Sequence, residues 1–138
     1  MKSHLILPAI LLAIVCISAA RFKEEGYVLE HERDIEQKQP GPHAGGGNTT
    51  VYPFFEGIKS SKLAFRKRVL HPGSAIGYHL QETDEIYYIL SGEGEMNMNG
   101  KRIYLKAGDA VFTKAGSSHG LKPAGYQDLS LIITYNLR

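Results

Sequence analysis

His79 and Gln81 stand two residues apart, Glu85 follows them closely, and His119 comes much later, just past Ala115-Gly116-Ser117-Ser118. On a β-strand side chains alternate, so His79 and Gln81 would point to one face. Two imidazoles and a carboxylate are the ligand set of an open, facial metal site, and the Gln81 amide can add a neutral oxygen. Imidazole and oxygen donors without thiolate suit Fe(II), Mn(II), Ni(II), Co(II) or Zn(II). Composition alone leaves a second reading open, because scattered histidines and glutamates are mostly surface residues. Tyr87 follows Glu85 by two and shares its face. It is either core filling or a phenol turned toward the site as acid, base or hydrogen-bond donor. Arg66-Lys67-Arg68 puts cations on both faces of one strand. Such a run protects a sheet edge, or aims one guanidinium into a pocket where it pairs with a substrate carboxylate. His31, His43 and His71 lack a spaced partner and read as solvated.

These residues need rigid strands to hold them, and the sequence from Thr50 onward has that pattern. Strands are predicted over Lys62–Leu70, Ala75–Gln81, Glu85–Leu90, Gly94–Met98, Lys101–Leu105, Ala110–Thr113 and Leu129–Tyr135. His71-Pro72-Gly73, Ser91-Gly92, Asn99-Gly100 and Ala107-Gly108-Asp109 punctuate them. Asn99-Gly100 between two short strands signals a type I′ hairpin. No stretch keeps a helical period without a turn residue intruding. Short strands at this spacing indicate a sandwich or small barrel. The segment Glu85–Leu90 is apolar on both faces, with Tyr87 and Ile89 on one and Ile86, Tyr88 and Leu90 on the other. A strand of a lone small barrel should keep one wet face, so a second surface is expected to cover this one.

The spacing also resembles that of a known family. Gly73, five residues, His79, one residue, Gln81, three residues, Glu85, six residues and Gly92 is similar to the first cupin motif. After fifteen residues, Gly108, five residues, Lys114-Ala115-Gly116, two residues and His119 is similar to the second. Seven of the ten motif positions match without a gap, and the resemblance covers roughly residues 50–135. It implies an all-β double-stranded β-helix, the jelly-roll or cupin barrel, with one divalent metal (Zn, Mn, Ni or Fe) near its open end. His79, Glu85 and His119 fill three of the four ligand places. Gln81 stands where the family usually has a second histidine, Lys114 replaces the motif proline, and Pro123 replaces the motif asparagine. Glutamine is a poorer donor than imidazole for late first-row metals and adds no charge, so weaker metal binding is expected.

The ends of the chain read differently from this domain. Lys2 precedes an apolar run from Leu5 to Ile17, and Ser18-Ala19-Ala20 closes it. That is the layout of a secretory signal peptide, so residues 1–20 are expected to be removed and the protein to be secreted or periplasmic, with no stable membrane span afterwards. Cleavage would leave Arg21 as the first residue, which N-terminal sequencing of exported protein reads directly. It would also remove Cys16, the sole cysteine, and with it any thiol chemistry. Residues 21–47 hold ten charged residues and end in Gly45-Gly46-Gly47. They read as an N-terminal arm, flexible or swapped onto a dimer partner, hinged at the glycines. Residues 48–138 then form the barrel domain.

The chain of 138 residues supplies one modest core. A net charge of +2 gives no field to gather nucleic acid or an anionic membrane. Walker loop, nucleophile elbow and dinucleotide fingerprint are all missing from the sequence. Two readings of function remain. The first is an exported metalloenzyme acting on a small polar carboxylate or sugar-derived substrate, in redox-neutral lyase, isomerase or decarboxylase chemistry rather than as a dioxygenase. The alternative is a non-catalytic cupin that binds a small organic anion. Many small cupins dimerise through an N-terminal segment, and the two-sided strand and the arm both fit a homodimer.

Overall fold

The computed structural model describes residues 26–138. The expected signal peptide and the first residues of the arm lie outside the described residues. Among the described residues no helix is long and apolar enough to cross a membrane. A four-residue helix, α1 (Glu32–Ile35), leads into ten strands. These are β1 (Gln37–Gly41), β2 (Gly46–Phe54), β3 (Leu63–Leu70), β4 (Ile76–Leu80), β5 (Glu85–Ser91), β6 (Glu93–Met98), β7 (Lys101–Lys106), β8 (Ala110–Thr113), β9 (Ser118–Pro123) and β10 (Leu129–Asn136). They form two antiparallel sheets, ordered β1-β2-β3-β10-β5-β8 and β4-β9-β6-β7. The jelly-roll β fold expected from the sequence is the fold observed.

Alternation in the strands builds the core between the sheets. In β5, Glu85, Tyr87 and Ile89 are buried while Ile86, Tyr88 and Leu90 are exposed. Leu129, Leu131 and Ile133 from β10 meet Met96 and Leu121 from the other sheet. Gly94 has no side chain because Leu129 and Leu121 occupy the space a Cβ would need. At the β6–β7 turn Asn99 and Gly100 both have positive φ, 49° and 81°, as a type I′ hairpin requires.

Three strands, β1, β2 and β9, escape the sequence pattern. β1 is Gln-Lys-Gln-Pro-Gly, with no apolar residue, and exists because it pairs with β2 at the sheet edge. β9 carries Ser-His-Gly-Leu-Lys-Pro and is clasped between β4 and β6. The arm is therefore integral to this chain's own sheet from Gln37 onward. Gly45 and Gly47, at the expected hinge, lie tight against backbone. A Cβ on Gly45 would stand 1.9 Å from the Ala75 carbonyl oxygen, and one on Gly47 2.6 Å from that of Gly73. The glycines permit a close backbone contact rather than free motion.

His71 is not free in solvent either. Lys38 Nζ donates to Thr50 Oγ1 at 2.9 Å, and Thr50 Oγ1 lies 2.9 Å from His71 Nε2. Asp128 Oδ1 can only accept, so His71 Nδ1–H donates to it at 2.9 Å. This chain ties β2 to the turn after β3 and to the loop before β10.

Candidate functional site

Strand β4 aims the first two side chains through an irregularity. Ile76 pairs with Leu121 but His79 pairs with His119, so β4 spends one more residue than β9 over the same span. Such a β-bulge reverses the in–out alternation. Ile76 and His79, three apart, consequently both line the interior cavity, while Tyr78 and Leu80 are largely exposed, Leu80 at the cavity rim. Gln81 follows the strand and is locked by backbone bonds in both directions, Gln81 N–H to Ser117 O and Gly116 N–H to Gln81 O, each 2.8 Å. Glu85 and Tyr87 come from β5 and His119 from β9. All five candidate residues are therefore brought together.

Their polar atoms converge. His79 Nδ1 donates to Gly77 O at 2.8 Å. In a neutral imidazole the lone pair is then on Nε2, which stands 3.2 Å from Gln81 Oε1, another acceptor. A cation between them, or a turn of the amide that brings its NH2 to the ring, resolves that conflict. His119 Nε2 lies 3.0 Å from the Tyr87 hydroxyl and 3.1 Å from Glu85 Oε2. Glu85 Oε2 and His119 Nδ1 are buried without a hydrogen-bond partner. Leaving such atoms unpaired costs about 1–3 kcal/mol each. Burial, and next the Glu85 carboxylate, push the Tyr87 phenol well above its usual range. Tyr87 thus holds its proton at neutral pH and acts as a donor, not a base. Among the described residues no three His, Cys, Asp or Glu side chains form a ready metal cluster. One of the four donors here is an amide, and His119 Nε2 lies within hydrogen-bond distance of the Tyr87 hydroxyl. The residues that could hold a divalent ion are His79, Gln81, Glu85 and His119, an all N/O set.

The structure adds two residues that the sequence reading set aside. His43, in the turn between β1 and β2, stacks on His79 with ring centroids 3.4 Å apart and planes within 4°. Burial, followed by the charge of His79, lowers its pKa from the usual histidine value. Gly77 N–H bonds Pro42 O at 2.9 Å and holds this turn in place. Arg68 is the second. It lies on β3, flanked by β2 and β10, so edge protection does not explain it. Its side chain enters the same cavity, which has a volume of about 510 Å³.

The profile of the cupin domain matches residues 67–135, half of the chain. The chain belongs to the cupin family. This cupin is 42% identical over 78 residues to an oxalate-binding protein of Thermotoga maritima. That match takes in 56% of this chain and 64% of the relative, somewhat under two thirds of its length. A crystal structure from Thermotoga maritima, described as a predicted oxalate decarboxylase, superposes with a TM-score of 0.72 at 32% identity. It covers 80% of this cupin and all of that chain. The polyketide cyclase RemF of Streptomyces resistomycificus shares the fold, with a TM-score of 0.69 at 17% identity over 81% of this cupin and 80% of that chain.

Proposed function

We propose that this cupin binds a small organic anion of the oxalate class at one divalent metal ion. The observation that carries the reading is the convergence of His79, Gln81 and Glu85 on a cavity that Arg66 and Arg68 also line, with fully buried His119 at 3.1 Å from Glu85. Cupins commonly bind a divalent metal, and the facing acceptors His79 Nε2 and Gln81 Oε1 fit one. The metal supplies a Lewis-acidic anchor for a carboxylate oxygen. Gly77 O fixes the His79 tautomer, as supporting contacts to ligand histidines do. The Tyr87 hydroxyl lies 3.0 Å from His119 Nε2 and orients that ring. The names of the Thermotoga maritima proteins supply the anion class. Binding is favoured over the metalloenzyme reading because Tyr87, the candidate proton carrier, is 2% exposed and already hydrogen-bonded. Calorimetry with Mn- or Zn-loaded protein tests it. Saturable oxalate binding, lost when metal is stripped, is expected, without consumption of oxalate. Decarboxylation of the added oxalate would replace this reading with the metalloenzyme one.

We also propose a homodimer, formed by the outer face of the six-stranded sheet. Phe65, Ile86, Tyr88, Leu90 and Phe112 on that face remain 38–55% exposed. Among the described residues the N-terminal segment covers the β2–β3 side, where Lys67 Nζ pairs with Glu32 Oε2 at 2.7 Å and Phe55 N–H donates to Glu30 Oε2 at 2.7 Å. A continuous apolar face of this kind is a pairing surface. Light scattering is expected to give twice the chain mass, and Tyr88→Glu to give a monomer. A monomeric wild-type protein counts against the dimer.

A further inference from the structure

Arg68 is 4% exposed, yet carries a full charge into the cavity. Its Nη1 donates to Thr49 Oγ1 at 2.6 Å and its Nη2 reaches Gln39 Oε1 at 3.5 Å, and both partners are neutral. The neighbouring cations of the same strand take the nearby acids, Arg66 with Glu56 and Lys67 with Glu32. Among the described residues no carboxylate lies within ion-pair distance of Arg68. Burial and the charge of Arg66 both act against its protonated form. A guanidinium nonetheless stays protonated in proteins, so the charge must be carried. A buried cation held only by neutral groups is a costly arrangement, and an anion that enters the cavity offsets it.

The two walls of the cavity differ in kind. Toward β4 and β5 lie His79, Gln81 and Glu85, with His119 of β9 buried beside Glu85. Toward β3 lie Arg68 and, nearer the rim, Arg66, whose side chain is more exposed. A guanidinium has five donors in a planar fork, and Arg68 commits two nitrogens to neutral acceptors. The rest match one carboxylate bidentately.

We propose that Arg68 selects the ligand as a dicarboxylate: one carboxylate at the His79–Gln81–Glu85–His119 end, the second on the Arg68 fork. This rests on the anion-binding reading above and adds the residue that reads the second charge. A monocarboxylate uses only the first end and gains little from Arg68. Thr49 is then a positioning residue, since its hydroxyl fixes the direction of the fork.

The test uses the full chain loaded with Mn(II), with oxalate and acetate as probes in calorimetry and metal content read in parallel. Arg68→Gln is expected to keep its metal and to bind oxalate roughly 10–100-fold more weakly, the loss typical of removing charge-assisted hydrogen bonds. Acetate affinity is expected to change by less than about 3-fold, since acetate has no second carboxylate. Arg68→Lys keeps the charge without the fork and should recover only part of the loss. It also supplies the comparison if Arg68→Gln fails to fold. Unchanged oxalate affinity in a folded Arg68 variant would overturn the proposal and leave Arg68 as a tie between β3 and Thr49. Equal losses for oxalate and acetate would overturn it too. If the metal-loaded wild type itself binds no oxalate, the anion-binding reading fails first and the Arg68 assignment falls with it.

Discussion

His79→Ala is expected to lower divalent-metal affinity by more than about 100-fold, so that dialysed protein carries almost none. Loss of a supporting contact costs 10–100-fold, and His79 is the donor itself, with its tautomer set by Gly77 O. Two terms act together. The imidazole lone pair disappears, and Gln81 Oε1 loses the atom it faces at 3.2 Å. Elemental analysis after reconstitution checks the metal, and circular dichroism checks the fold. The barrel should survive, because His79 lies outside the apolar cluster centred on Leu131 and Met96. Gln81→His is the converse, expected to tighten late first-row metals by restoring a stronger nitrogen donor. Metal retained in full by His79→Ala would remove the basis of the proposed site.

Gly45→Ala is expected to destabilise the protein by about 3 kcal/mol or more, the upper end of overpacking costs. The added methyl group would stand 1.9 Å from Ala75 O and 2.7 Å from Gly77 N, both backbone atoms that cannot swing aside. Either the turn at 42–45 lifts or β4 bends. In both cases Gly77 N–H loses Pro42 O and His43 leaves the His79 ring. Gly57→Ala is the control, because nothing lies within 4 Å of its added Cβ. Urea denaturation of the two variants should separate them clearly; near-equal midpoints would show that the turn is not tightly packed on β4.

The spacing of the candidate donors and seven strands were legible in the sequence because alternation and turn glycines are local signals. β5 reads correctly from Glu85 to Leu90, since its buried and exposed residues alternate strictly. β1 was not legible, because Gln37 to Gly41 become a strand only by pairing with β2, a contact that local composition does not encode. His43 left no signal at all. Its ring meets His79 through a turn that adopts positive φ at His43 and Ala44 without a glycine at either position. Arg68 sits in a run of three cations, and a basic run looks like an edge. Only the pairing of β3 with both β2 and β10 reveals an interior strand whose alternate residues point inward. The paired residues Thr50 and His71 are likewise 21 positions apart and joined by the fold alone.

The extra residue in β4 has a bearing on how this chain tolerates insertions and deletions. Excising one residue between Ile76 and His79 would leave a more regular ladder with β9, so hydrogen bonding and local stability would not oppose the change. The same excision would keep His79 and Gln81 inward and Leu80 outward, because Ile76 and His79 would then stand two apart on one face of a regular strand. A shortened β4 would thus yield a well-formed barrel with its donor set in place. In this strand the bulge absorbs one residue of length without changing which side chains face inward.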